Sequence, residues 1–369
     1  MAGNYPIQLV ATSRLPDFDL TRVPFGTVFS DHMFCMDYRE GEWRDGRIEP
    51  YGPVTIEPGV MMLHYAQGIF EGLKAYRGDD GVLRLFRPDR NARRVVTSCE
   101  RLCIPPLPEQ DFVDGISALV EVDRDWVPAG QGEALYIRPI LYSNEAHIEV
   151  RPSEIYRFIV MTCPVGAYFK PGAAGLSLKV DKNYARTAPS GGLGACKTAA
   201  NYSGTLLAGR TAREEGFDQL LWLDGGEHKY VEEAGLMNIF FVIDGRVVTP
   251  EASGAILPGI TRDSTITLLR DWGVPVEERP VTFDEVSAAL GSGTMEEIFV
   301  TGTAAVVTPV ARIGHEGATM TPGAAPGPLM QKLYDAITGI QYGRVADTRN
   351  WTLPVAALDH AGSLRAGTA

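Results

Sequence analysis

A chain of 369 residues has room for two domains of ordinary size, and 45% hydrophobic residues supply material for two cores. Its net charge of -12, with no Lys/Arg run, argues against nucleic acid or an anionic membrane as a partner. No apolar run is long enough to span a bilayer, and the start, MAGNYPIQLVATSRLPDFD, has no basic region leading into an apolar stretch, so neither a membrane span nor a targeting leader is expected.

The cysteines Cys35, Cys99, Cys103, Cys163 and Cys196 are odd in number, scattered and without a CxxC pair, which points to a reducing compartment and a cytoplasmic protein. With no HExxH and no close Cys/His set, no metal centre is expected. Cys99 and Cys103 read instead as the buried stripe of a helix.

In chain order, residues 25–76 read mostly as strands: FGTVFSDHMFCMDY, a polar turn REGEWRDG, RIEPYGPVTI and HYAQGIFEGLKAYRG. Phe25, Tyr65, Phe70 and Tyr76 could line a pocket, although core packing is the commoner fate of such aromatics. A strand GVLRLF then leads to a helix over residues 91–102. Its apolar stripe of Val95, Cys99 and Leu102 leaves Arg94 near the edge, either as an anion clamp or as a solvated arginine.

A second helix is expected over 109–126 and a strong strand over 133–142, on which alternation puts Tyr136 and Arg138 on one face. A phenol and a guanidinium on an otherwise apolar strand cost desolvation unless an anion or carboxylate meets them. RFIVMTCPVGAYF is a further strand, and the small residues 171–175 after Tyr168 mark a domain boundary.

Beyond it lies GGLGACKTAANYSGTLLAGRTAREEG, in which Lys197 sits between a glycine-rich entry and an amphipathic helix that Gly216 would end. Next come a strand DQLLWLD and the run YVEEAGLMNIFFVIDGRVVTP, with a tight hairpin at Asp244-Gly245 and the adjacent carboxylates Glu232 and Glu233. A helix capped at Thr261 or nearby and stopped at Gly273 offers the N–H groups of Ile260 and Thr261 to an anion. The strand EEIFVTG, the run TAAVVTPV and a last helix over 328–340 complete the chain before a frayed tail.

Three readings of Lys197 compete: a surface lysine in a loop, a P-loop lysine, and an amine that condenses with a carbonyl. GGLGACKT nearly fits a P-loop, but Cys196 stands where a glycine must cradle phosphate, and NYARTAPS before it is no buried strand. A pyridoxal phosphate site needs an amine, a carboxylate for the ring nitrogen, a phenol or amide near the ring oxygen and an anion cup. The chain offers Lys197, a glutamate before NIFFV, Asn201-Tyr202, and Arg94 with the helix start at residues 259–261.

The segments FGTVFSDHM, HYAQGIFEGLKAYRG, RLFRPDRNARR, LYIRP, CPVGAYF, GACKTAANY, EEAGLMNIFFV, LPGITRDS and GTAAVVTPV, in this order and spacing, resemble the branched-chain amino acid aminotransferases over residues 25–343. The resemblance implies an α/β (α+β) fold of the fold type IV pyridoxal phosphate enzymes. It comprises a smaller N-terminal α/β domain (residues 1–170), a connection (171–180) and a larger C-terminal cofactor-binding α/β domain (181–369), with the active site between them, in a homodimer.

Matched residue by residue, the resemblance makes Lys197 the lysine that bonds pyridoxal 5'-phosphate, puts Tyr202 at the ring oxygen and Glu233 at the pyridine nitrogen, and assigns Arg94, Ile260, Thr261 and Thr303 to the phosphate. Phe25, Tyr65, Phe70 and Tyr168 match pocket walls with Gly72 among them. Tyr136 and Arg138 match a carboxylate-side pair, and Thr303 and Ala304 would meet the substrate α-carboxylate. GTAAVVT lacks the redox CxxC of some members, and Leu236 stands where eukaryotic members carry threonine.

The activity implied is reversible ping-pong transfer of the amino group from leucine, isoleucine or valine to α-ketoglutarate, with Lys197 as the proton-moving base. Within the same fold the rivals are D-amino acid aminotransferase and aminodeoxychorismate lyase.

Overall fold

A computed structural model describes residues 5–20, 22–167, 174–189 and 191–356. The chain divides into two compact units, the first comprising Met1–Tyr168, Lys197–Ala199 and Gly339–Ala369, the second Phe169–Cys196 and Ala200–Thr338. Of the expected connection at 171–180, residues 174–180 are described, and Leu176–Val180 form a strand of the second unit's sheet.

The first unit is built on strands β1 (His32–Arg39), β2 (Glu42–Pro50), β3 (Gly68–Phe70), β4 (Leu73–Arg77), β5 (Leu83–Phe86), β6 (Ala134–Ser143) and β7 (Tyr156–Val165), with helices α1 (Met61–Tyr65), α2 (Pro88–Arg101) and α3 (Glu109–Val122). The sheet runs from the strand Thr352–Pro354 through β5, β4, β6, β7 and β1 to β2, with β3 also on β6. Alternation along β6 sends Leu135, Ile137 and Leu141 into a core with Val95 and Cys99 of α2 and Phe112, Ile116 and Leu119 of α3. The same alternation turns Tyr136 and Arg138 to the opposite face.

Several elements differ from the sequence-based expectation. Residues 25–29 are irregular rather than strand, with Gly26 at φ 72°, and β1 starts only at His32. The polar turn of that hairpin is just Glu40-Gly41, and EWRDG belongs to β2. Tyr65 lies in the short helix α1, closed by Ala66 in the left-handed region.

Helix α2 ends at Arg101, so Cys103 falls beyond it at φ 55° and is exposed, whereas Cys99 is buried: the expected common stripe is wrong at its second member. The helix expected to reach residue 126 stops at Val122, followed by a separate turn Arg124–Trp126. At the break, the Asp123 carboxylate accepts the His32 backbone N–H at 3.0 Å and meets its ring Nδ1 at 2.6 Å.

The second unit holds β8 (Leu176–Val180), β9 (Gln219–Leu223), β10 (Val231–Ala234), β11 (Asn238–Ile243), β12 (Arg246–Thr249), β13 (Val276–Glu278), β14 (Met295–Gly302), β15 (Val306–His315) and β16 (Ala318–Met320). Helices α4 (Ala200–Ser203), α5 (Leu206–Glu214), α6 (Ile260–Asp271), α7 (Phe283–Ser292) and α8 (Pro328–Gln341) accompany them, α8 running on into the first unit at Gly339. The sheet order is β10, β9, β8, β15, β14, β11, β12, β13, with β16 on β15.

Asp244 (φ 48°) and Gly245 (φ 72°) form the expected hairpin between β11 and β12, since two successive positive φ values match the right-handed twist of the strands. The amphipathic stretch after Lys197 forms two helices, and the lysine stands before both rather than at a helix start. Gly194 is a packing glycine: a Cβ there would lie 2.0 Å from the Ala255 carbonyl oxygen. Gly259 caps α6, ahead of Thr261.

Candidate active site

In the first unit the main chain around Lys197 is pinned by three bonds. Its N–H donates to Ser98 Oγ at 3.2 Å, its carbonyl accepts from Phe70 N at 2.9 Å, and Thr198 Oγ1 donates to the Gly68 carbonyl at 2.8 Å. The lysine is thereby held beside β3 and α2, with its ammonium 5.0 Å from the centre of the Phe70 ring. Burial pulls the pKa of Lys197 down to about 8; the Arg94 charge adds to the effect, Glu71 and Tyr136 oppose it, and Arg138 lowers it further.

Beside the lysine, Arg94 and Glu71 form a buried fork, Nε to Oε1 at 2.7 Å and Nη2 to Oε2 at 2.8 Å. Glu71 Oε2 also accepts from Asn91 Nδ2 at 2.7 Å and from Gly72 N at 3.1 Å. Burial alone would raise the Glu71 carboxyl, but Arg94, Lys197 and Asn91 hold it below the usual carboxylate range. Glu71 lies inside one of the quoted segments, yet its position among apolar residues carries no hint of a partner twenty-three positions away.

On the neighbouring strand Arg138 Nη2 donates to the Tyr136 hydroxyl at 2.9 Å, and its guanidinium carbon is 4.9 Å from the Phe70 ring centre. Among the described residues Arg138 has no carboxylate partner, and its buried Nε has no hydrogen-bond acceptor. Phe25 packs edge-on against Tyr136 with centroids 5.0 Å apart. A Cβ on Gly72 would fall 2.1 Å from the Tyr136 hydroxyl, so this glycine makes room for the phenol.

Phe25, Phe70, Gly72, Arg94, Tyr136, Arg138 and Lys197 are therefore gathered in one unit. Tyr65 is not joined to them: it is exposed in α1, and its hydroxyl donates to the Ile148 carbonyl. Tyr168 lies outside the described residues. A second buried lysine, Lys74, pairs in register with Tyr136, and burial lowers its pKa to about 8 as well.

The second unit carries the remaining candidates. Glu233 on β10 is buried, with Oε2 2.5 Å from Arg186 Nη2 and Oε1 accepting from Asn238 Nδ2 at 3.2 Å. The same amide reaches the Leu257 carbonyl at 3.0 Å, and Gly259 passes so close that a Cβ would lie 2.0 Å from Asn238 Oδ1. Asn238 thus ties Glu233 to the segment that starts α6, where Ile260 and Thr261 stand at the positive end of a helix.

Arg262 anchors that start, donating to the Pro250 carbonyl at 2.9 Å and pairing with Glu278 at 2.9 Å. Thr303 and Ala304 occupy the turn between β14 and β15, next to Val306 at φ 54°, a strained value for a β-branched residue of the kind found around ligand sites. Tyr202 is half-buried in α4. Its neighbour Asn201 is spent on structure, its amide donating to the carbonyls of Leu193 at 2.6 Å and Cys196 at 2.9 Å. Leu236 is exposed. Arg186 was not singled out from sequence, since RTAPS shows nothing of the glutamate it meets.

The chain matches the family described as amino-transferase class IV over residues 68–313. It is 48% identical over 344 residues to branched-chain-amino-acid transaminase 1 of Bacillus subtilis (strain 168), covering 91% of this chain and 95% of that protein. Among solved structures, the branched-chain amino acid aminotransferase of Thermobaculum terrenum in its PLP form superposes with a TM-score of 0.71 at 27% identity, covering 88% of this chain and 98% of that one. The branched-chain aminotransferase of Thermoproteus uzoniensis with norvaline gives 0.74 at 26% identity, covering 88% of this chain and 99% of that one. The chain belongs to the class IV aminotransferase family.

Proposed function

We propose that this protein is a branched-chain amino acid aminotransferase that moves the amino group of L-leucine, L-isoleucine or L-valine reversibly to α-ketoglutarate, with pyridoxal 5'-phosphate as cofactor. The observation that carries the reading is Lys197, an amine with a pKa lowered to about 8 among Phe70, Tyr136 and Arg138. At neutral pH roughly one such amine in ten is unprotonated, against fewer than about one in a thousand for an ordinary lysine.

The donor set suits the cofactor: an activated amine, an ion-paired buried carboxylate at Glu233, and a helix start at Ile260 and Thr261. Lys197 would bond it, Glu233 would pair with its ring nitrogen, and Tyr202 would meet its ring oxygen. Arg94, oriented by Glu71, would meet the phosphate with Ile260, Thr261 and Thr303. When bound, the group supplies the electron sink that lets an amino group leave one acid and join another.

This chain's own residues do the rest. Lys197 moves the proton of the substrate α-carbon, because a base matched to neutral pH serves both directions. Phe25 and Phe70, with Tyr168, offer apolar walls to a branched side chain, while Arg138 and Tyr136 meet the distal carboxylate of glutamate. The Thr303 and Ala304 backbone receives the α-carboxylate.

A homodimer in the cytoplasm, with the domain division at residues 171–180, belongs to the same reading. The test is borohydride reduction of the protein loaded with pyridoxal phosphate, with and without L-leucine, followed by peptide mapping. The label is expected on Lys197 and is expected to be lost when leucine is added first. A label on Lys74, or one that D-alanine removes and leucine does not, would overturn the assignment.

A further inference from the structure

Arg14 meets three successive residues that lie fifteen to seventeen positions further along the chain. Its Nη2 donates to the Phe29 carbonyl at 3.0 Å and to the Ser30 carbonyl at 2.8 Å, and its Nε to Asp31 Oδ1 at 3.4 Å. Its backbone N–H donates to the same Asp31 oxygen at 3.0 Å. One arginine thus closes the base of the loop that begins at Leu15 and ends at Val28.

That base is anchored on the body of the first unit. Asp31 is buried, and its Oδ2 accepts from Ser13 Oγ at 2.5 Å and from the Trp126 indole at 2.9 Å. Burial alone would raise the Asp31 carboxyl, but the bonds from Ser13, Arg14 and Trp126 hold it below the usual carboxylate range. Ser30 N–H donates to the Thr162 carbonyl of β7 at 2.9 Å, and Phe29 lies flat on Tyr51 with centroids 4.8 Å apart.

At the tip of the loop Pro24, Phe25, Gly26 and Thr27 make a tight turn. Thr27 N–H and Oγ1 both donate to the Pro24 carbonyl, at 3.3 and 2.8 Å, and Gly26 at φ 72° supplies the left-handed residue that such a turn requires. Phe25 leans edge-on against Tyr136 and keeps 55% of its surface open. Only Gly26, Thr27 and Val28 separate it from the first carbonyl that Arg14 holds, so a shift of the base reaches the ring within a few bonds.

We propose that Arg14 is a positioning residue for the substrate pocket: by clasping residues 29–31 it fixes the turn that presents Phe25 to a branched side chain. Arg14 touches no substrate and acts through Phe25. The inference rests on the reading that Phe25 is a wall of that pocket.

The test compares the natural protein, loaded with pyridoxal phosphate, with Arg14→Gln, Arg14→Lys, Phe25→Ala and the double variant Arg14→Gln/Phe25→Ala. Steady-state rates are taken with L-leucine and α-ketoglutarate, and amide hydrogen exchange is followed over residues 22–31 in the cofactor-free proteins. Arg14→Gln is expected to raise KM for leucine roughly five-fold with kcat within about twofold, and Arg14→Lys, which keeps the charge but not the planar fork, to fall between. On the Phe25→Ala background Arg14→Gln should add less than about twofold, since the ring through which it acts is gone. Exchange at Thr27 and Ser30 should quicken about ten-fold or more in Arg14→Gln, while β6 exchanges as in the natural protein.

Losses that multiply in the double variant, an unchanged KM for leucine, or unchanged exchange at Thr27 and Ser30 each overturn the proposal. If Arg14→Gln does not fold, Arg14→Lys alone and on the Phe25→Ala background decides by the same comparison. A natural protein that does not transaminate leucine sinks the pocket reading instead, and the exchange at Thr27 and Ser30 then decides whether Arg14 holds the turn.

Discussion

Glu71 serves two groups at once: it neutralises Arg94 through a two-point fork, and its charge raises the pKa of Lys197 against the pull of burial. Removing one half of a buried pair leaves the other charge uncompensated, at a cost of roughly 3–5 kcal/mol. Glu71→Gln is therefore expected to lower the unfolding temperature sharply and to move the Lys197 pKa further down, read from the pH dependence of amine labelling at Lys197. An unchanged melting curve would contradict the pairing. Lys197 itself makes a separate prediction. Its folded pKa of about 8 lies below the ordinary 10.5, so the unfolded chain binds the extra proton between these values and stability rises with pH across that window. Lys197→Met, which has no amine, should lack this rise, starting above the natural protein near pH 7 by at most about 3 kcal/mol and losing the lead by about pH 10. Arg138 is charged, stacked on Phe70 and without a carboxylate partner among the described residues. Arg138→Met is expected to raise KM for α-ketoglutarate by ten-fold or more, roughly, while leucine changes only a few-fold. Equal losses for both would remove the dicarboxylate role. Gly72→Ala should dislodge the Tyr136 phenol and lower kcat/KM for both substrates, at a packing cost of about 1–3 kcal/mol.

At the scale of elements, the hairpin from β9 to β10 decides where the two glutamates stand. Its turn is organised by Asp224, whose carboxylate receives N–H groups from Gly226, Glu227, Lys229 and Tyr230; burial would raise this carboxyl, but those bonds keep it below the usual range. Asp224→Ala strips the turn of its acceptor and is expected to destabilise by about 2–4 kcal/mol, seen as a lower unfolding temperature and weaker cofactor binding. A variant that melts like the natural protein would show the turn to be self-supporting. Elements of this kind were partly legible in the sequence. The period-two pattern of LYIRPILY correctly put Tyr136 and Arg138 side by side, because alternation on a strand is a property of the backbone alone. The Asp244-Gly245 turn and α8 were legible for the same local reason. The end of α2 and the break after α3 were not: the first left Cys103 outside the helix, and the second comes where Asp123 meets His32, ninety-one positions away, a partner no local pattern announces.

At the scale of the whole molecule, the resemblance of motifs named the family correctly, whereas composition alone would have stopped at a two-core α/β protein. What the sequence withheld were the buried ion pairs, Glu71 with Arg94 and Glu233 with Arg186, because a residue's partner across a fold depends on topology rather than spacing. The distribution of thiols offers a check on the whole fold. Cys35, Cys99, Cys163 and Cys196 are buried and Cys103 is exposed, so a thiol reagent should find one fast site in the folded protein and all five after unfolding. The first unit is assembled from three stretches of chain, Met1–Tyr168, Lys197–Ala199 and Gly339–Ala369, and its sheet is completed at β5 by Thr352–Pro354. On the ribosome this means that the earliest-made unit waits for nearly the latest-made strand: the whole second unit is translated while the outer edge of β5 is still bare. Bare sheet edges invite pairing with neighbours, so nascent chains stalled before Thr352 should be the species that chaperones hold.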